Sequence, residues 1–116
     1  MNSKTGSDWS VAKGSNSFAA VSEFVHKSAI LDVNDVDIEL FVNGAKKQSS
    51  NSSMMIFDVP TMIADISTFQ ELREGDLIFT GTPQGCTKVN TGDKLLGVLR
   101  NGGSTDEVAR IEIDVV

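Results

Sequence analysis

The chain has 116 residues, 40% of them apolar and 22% charged, the composition of one globular domain with a modest core. Sixteen acidic against ten basic residues give a net charge of −6. With the basic residues scattered and only Lys46-Lys47 adjacent, that balance argues against a nucleic-acid or anionic-membrane surface. The single cysteine, Cys86, excludes an intrachain disulfide framework.

Residues 1–8 are polar and small, and are expected to form a disordered N-terminal segment. The first ten residues lack the apolar core of a secretory signal, and no stretch reaches the length of a membrane-spanning helix. The expected setting is therefore intracellular, cytoplasmic or mitochondrial. Between residues 11 and 24, Gly14, Ser15, Asn16 and Ser17 interrupt any continuous helix, leaving Val21 and Phe24 as expected core anchors.

Val36, Ile38, Leu40 and Val42 alternate with Asp37, Glu39 and Phe41, the period of a strand with one face buried. Asn43-Gly44 follows, a pair suited to a type I′ turn, in which both central residues take positive φ. The sequence thus predicts a β-hairpin over 35–42 and 45–50. Asp58 is placed as a helix N-cap with Pro60 in the first turn, and Met62, Ile63, Ile66 and Phe69 recur at helical spacing to about residue 68. A short buried strand is expected over 77–80. Further strands are expected over 94–99 and 108–115, separated by Asn101-Gly102-Gly103. The expected fold is mainly β, of α+β type, with one short helix.

The loop after the expected 77–80 strand, Thr80-Gly81-Thr82-Pro83, offers hydroxyls and exposed backbone N–H groups that can hold an anionic oxygen. Taken alone it also fits an ordinary turn. Lys13, between Val11 and Gly14, has two readings. It could face a cleft and pair with a substrate carboxylate or a developing enolate, or it could extend from the surface. Asp32, Asp35, Asp37 and Glu39 form an acidic cluster, but Val36 and Asp37 break the EF-hand pattern, and three carboxylates on one strand face read as a solvated surface. His26, the only histidine, reads as a surface residue, and Cys86 as a small, partly buried one. The sequon Asn51-Ser52-Ser53 reads as a chance match.

Five segments occur in the order and spacing of one family. They are Trp9-Ser10-Val11-Ala12-Lys13; Val21-Ser22-Glu23-Phe24-Val25; Val42-Asn43-Gly44; Ser53-Met54-Met55-Ile56-Phe57-Asp58-Val59-Pro60; and Gly75-Asp76-Leu77-Ile78-Phe79-Thr80-Gly81-Thr82-Pro83-Gln84-Gly85. Over about residues 9–98 the chain resembles the fumarylacetoacetate hydrolase family, most of all its short acylpyruvase and oxaloacetate decarboxylase-like members. The resemblance implies a mixed β-roll or β-sandwich fold and a Mg²⁺- or Mn²⁺-dependent site. It also implies 2-oxo or β-diketo acid substrates that are cleaved or isomerised beside a carbonyl. Within it, Lys13 matches the active-site lysine, which also faces substrate. Thr82 matches the carboxylate-binding threonine, and Gly81 the position where backbone approaches substrate.

The departures from the family pattern are equally specific. The family's metal ligands, a Glu-x-Glu pair and an Asp, lie upstream of the lysine, as does the His-Glu pair of its mobile lid. Here only Asp8 is acidic before Lys13, so no metal ligand is assigned in this chain. Asn16, Ala20 and Cys86-Thr87 stand where Asp, Pro and Val-Gly are usual. Residues 9–116 are therefore expected to form the C-terminal half of the family's catalytic domain. If active, the chain would act on a small 2-oxo acid with a complementing chain or as a homo-oligomer. The alternative is a non-catalytic, oligomerising or carboxylate-binding remnant of the fold.

Overall fold

The computed structural model describes residues 13–116. The expected disordered segment over 1–8 and the Trp9-Ser10-Val11-Ala12 motif lie outside them. Four strands, β1 (Val36–Val42), β2 (Ala45–Asn51), β3 (Lys94–Asn101) and β4 (Glu107–Asp114), form one sheet in the order β2-β1-β3-β4, and every neighbouring pair is antiparallel. One helix, α1 (Val59–Ile66), and two short 3-10 turns, Lys27–Ala29 and Ser52–Met54, complete the described elements. Among the described elements the fold is mainly β with one helix, as the sequence patterning predicts.

The hairpin forms where alternation and turn chemistry agree. Asn43 and Gly44 have φ of 50° and 81°, and Val42 pairs with Ala45 across the two-residue turn. The Asn43 side chain also ties this turn to the start of β3. Its Nδ2 donates to Asp93 Oδ1 at 2.9 Å, and its Oδ1 accepts from the Lys94 N–H at 2.9 Å. Antiparallel pairing puts opposed residues on the same face. Ile38, Leu40, Leu95, Leu99, Ile111 and Ile113 accordingly share an apolar face, while Asp37, Glu39, Arg100, Arg110 and Glu112 share a polar one.

The polar face is not simply solvated. Glu39 binds Lys46 Nζ at 2.5 Å and also the Arg100 guanidinium, and its side chain is only 16% exposed. Arg110 continues the network to Glu107 at 3.3 Å and Glu112 at 2.7 Å. Val98, opposite Glu39 on one side and Arg110 on the other, is 3% exposed. Long charged side chains cover apolar surface with their stems in this way.

The apolar face is partly covered, with Ile38, Leu40, Leu95, Leu99, Ile111 and Ile113 half-buried. Val36 and Val42 are its buried residues, and among the described residues no side chain is fully withdrawn from solvent. Three expectations change accordingly. Val21 and Phe24 are exposed and anchor no core. Helix α1 ends at Ile66, with Met62 and Ile66 half-buried and Ile63 and Phe69 exposed. Residues 77–80 are neither a strand nor buried: Leu77 is exposed and Phe79 is 72% exposed. An apolar segment joins a ladder only where a neighbouring strand supplies partners, and no described strand pairs with this one.

Candidate functional site

The candidate site is assembled around β2. In the pairing with β1, Leu40 faces Gln48 and Phe41 faces Lys46, so Lys47 is an extra residue, a β-bulge. Strand side chains alternate between faces, so one added residue reverses the facing of everything beyond it. The bulge thereby turns Gln48 and Ser50 onto the apolar face, opposite Leu40 and Ile38.

Gln48 is 8% exposed and holds the Thr-Gly loop. Its Nε2 lies 2.9 Å from Thr82 Oγ1 and 2.9 Å from the Pro83 carbonyl oxygen. Gly85 lies close against the backbone of β2. It has φ of 99°, and a Cβ there would sit 2.1 Å from the Lys47 carbonyl oxygen, so glycine is required both by conformation and by space. Gly81 has φ of 95° with open space around it, so only its conformation calls for glycine.

The anchored loop forms one wall of a cleft of about 680 Å³. Thr80, Gly81 and Thr82 line it, and Ile38, Met54 and Met62 are among its apolar lining. Ser52 also lines it, and its buried hydroxyl accepts from the Val36 N–H at 2.9 Å and donates to the Val33 carbonyl at 2.8 Å. Helix α1 enters beside it under an N-cap, with Asp58 Oδ1 accepting from the Thr61 N–H at 2.9 Å. Hydrogen bonds from Thr61 hold the Asp58 carboxyl below its ordinary value.

Of the three site residues expected from sequence, the structure brings Gly81 and Thr82 together on the cleft wall. Lys13 is exposed and is not among the described residues lining the cleft. Gln48 was hidden by its setting: it begins the polar run over 48–53, which carries no periodic signal, and only the bulge shows which way it faces. Cys86, expected to be partly buried, is exposed. His26 is on the surface, its Nδ1 2.7 Å from Ser28 Oγ. Asn51, the sequon residue, has its amide engaged with both Asp35 and Asp37 at 2.8 Å.

The acidic residues do not make a cation site. Asp37 accepts from Asn51 and from the Gly103 N–H, and Glu39 is engaged by Lys46 and Arg100. Among the described residues, no group of three or more His, Cys, Asp or Glu side chains could hold a metal ion. Lys and Thr cannot replace them, because an ammonium offers only donors and one hydroxyl is not an oxygen cage. The described residues thus do not fit a divalent metal by themselves.

A sheet carrying a Thr-Gly-Thr-Pro loop on its edge strand defines the class. The fumarylacetoacetate (FAA) hydrolase C-terminal family matches residues 1–109, and the chain belongs to this family. It is 45% identical over 84 residues to a mitochondrial oxaloacetate decarboxylase of Dictyostelium discoideum, covering 72% of this chain and 38% of that one. Among solved structures it resembles a fumarylacetoacetate hydrolase family protein from Yersinia pestis, with a TM-score of 0.82 and 30% identity over 99% of this chain and 50% of that one. It also resembles a Sphingobium maleylpyruvate hydrolase determined with manganese(II) and pyruvate, with a TM-score of 0.70 and 33% identity over 79% of this chain and 33% of that one. The chain spans less than half the length of the curated relatives it matches. Among the described residues, no helix is long and apolar enough to cross a membrane.

Proposed function

We propose that this chain supplies the carboxylate-binding wall of an FAA hydrolase-type site that cleaves or isomerises small 2-oxo or β-diketo acids. The observation that carries this reading is the Thr82 loop, held by Gln48 and close against β2 at Gly85, at the wall of a cleft large enough for a small organic acid. The Thr82 hydroxyl would hold the substrate carboxylate and Gly81 would permit close backbone approach. Lys13 would bring an ammonium to the oxygen on which charge develops. These roles suit the relatives, which include an oxaloacetate decarboxylase and a maleylpyruvate hydrolase bound to pyruvate. Any divalent metal would take its ligands from outside the described residues, and no step is assigned to one here. The mitochondrial relative favours a mitochondrial setting.

The test is turnover of oxaloacetate and acylpyruvates, with Mg²⁺ or Mn²⁺, by the chain alone and combined with the upstream half of a family relative. Activity that appears on complementation and is lost in Thr82→Val supports the reading. Activity indifferent to both Thr82→Val and Lys13→Ala would sink it.

The described residues favour a second reading in one respect: large apolar residues outside the strands are bare, with Ile56 92% exposed and Phe79 72% exposed. Such a surface suits association, either with a second copy or with a complementing chain. A non-catalytic, carboxylate-binding oligomer would bind pyruvate and self-associate, yet show no turnover under any of these conditions.

A further inference from the structure

We infer that Gln48 is a positioning residue that fixes the direction of the Thr82 hydroxyl, leaving its hydrogen for a ligand carboxylate in the cleft. The inference rests on the carboxylate-site reading above. The Pro83 carbonyl oxygen can only accept a hydrogen bond, so the end of the Gln48 amide that faces it at 2.9 Å must be the NH₂. The same nitrogen stands 2.9 Å from Thr82 Oγ1, so its second hydrogen points at the hydroxyl and Thr82 is the acceptor. A hydroxyl carries one hydrogen and two lone pairs. With a lone pair occupied by Gln48, the hydrogen is left to donate elsewhere, and no described residue accepts it.

Thr82 lines the cleft, so this donor stands at the wall of a ligand-sized space. A carboxylate oxygen is the acceptor that profits most, because a hydrogen bond to an ionised acceptor is roughly twice as strong as a neutral one. The polarity of the chain Pro83–Gln48–Thr82–ligand is thus set from the protein side. Burial of Gln48 and its aim by the Lys47 bulge keep the amide from turning over.

Gln48→Glu tests this polarity at constant size. At neutral pH a carboxylate offers no donor, so it would draw the Thr82 hydrogen toward itself and away from the cleft. Gln48→Met is the control that packs without polarity. Pyruvate is titrated into the full chain and followed by NMR at the Gly81 and Thr82 amides, with the fold of each variant checked by circular dichroism.

The expected result is about tenfold or greater weakening in Gln48→Glu, partly regained on acidification as the new carboxyl takes up a proton. Gln48→Met is expected to weaken binding less, with no pH dependence. Equal pyruvate affinity in wild type and Gln48→Glu overturns the inference, as does an equal, pH-independent loss in both variants. In the wild type, the Gln48 NH₂ protons are expected to exchange slowly and to shift as pyruvate binds. Fast exchange with no response also overturns the inference, and this readout stands even if Gln48→Glu fails to fold. A wild type that shows no pyruvate response at Gly81 and Thr82 overturns the carboxylate site itself, and the inference with it.

Discussion

Glu39 and Asp37 carry charges that the fold stabilises. Hydrogen bonds from Lys46 first, and then from Arg100, hold the Glu39 carboxyl below its ordinary value of 4.5. Asn51 first, and then the Gly103 N–H, do the same for Asp37 below 3.8. A carboxyl that is more acidic folded than unfolded adds stability above its unfolded value, and the gain is lost as pH falls through the folded value. Stability is therefore expected to hold from neutral pH to the region of these ordinary values and to decline below it. Urea unfolding between about pH 7 and about pH 3 checks this. Glu39→Gln should flatten the decline, and an unchanged profile would show that the network is not its source. The two loop glycines differ in kind. Gly85→Ala adds a clash with the Lys47 carbonyl to an unfavourable φ and is expected to cost about 2 kcal/mol or more, whereas Gly81→Ala meets only the conformational term of about 1 kcal/mol. The midpoint of urea unfolding for each variant separates the two cases.

At the scale of elements, the contrast between β1 and residues 77–80 is informative. Both are apolar and β-forming, and both are introduced by turn residues. β1 forms because β2 and β3 lie on either side and satisfy its backbone, whereas 77–80 has no such neighbour among the described strands. Phe79→Asp should therefore leave the unfolding midpoint of the chain within about 0.5 kcal/mol of wild type, since an exposed side chain has little packing to lose. The same substitution should reduce self-association, measured by light scattering. A large loss of stability would mean that Phe79 packs in the chain on its own, contrary to its exposure. Helix α1 follows the same logic. Its N-cap and Pro60 are local signals and appear where sequence places them, but which of its apolar residues are buried depends on what lies against them: Val59, Met62 and Ile66 find partial cover and Ile63 does not.

At the scale of the molecule, the chain exposes 8929 Å². A compact monomer of 12.4 kDa is expected to expose about 6,100 Å². The excess is larger than the roughly 800 Å² per partner that a standard stable interface covers. Together with the bare apolar residues, it predicts concentration-dependent association, or capture of a complementing half, with loss of binding to a hydrophobic dye as those residues are covered. A chain that stays monomeric at high concentration, and does not bind such a dye, would contradict this.

Local chemistry made much of this protein legible in advance. The Asn43-Gly44 turn, the alternation of β1 and β4, the Asp58 cap and the Thr80–Pro83 motif each depend on a few neighbouring residues, and all could be read without coordinates. Tertiary structure alone decided the rest, because burial and facing depend on what the chain folds against. It left Val21, Phe24 and Phe79 in solvent, drew Glu39 into a network, and, through one extra residue at Lys47, turned Gln48 from a member of a polar run into the anchor of Thr82.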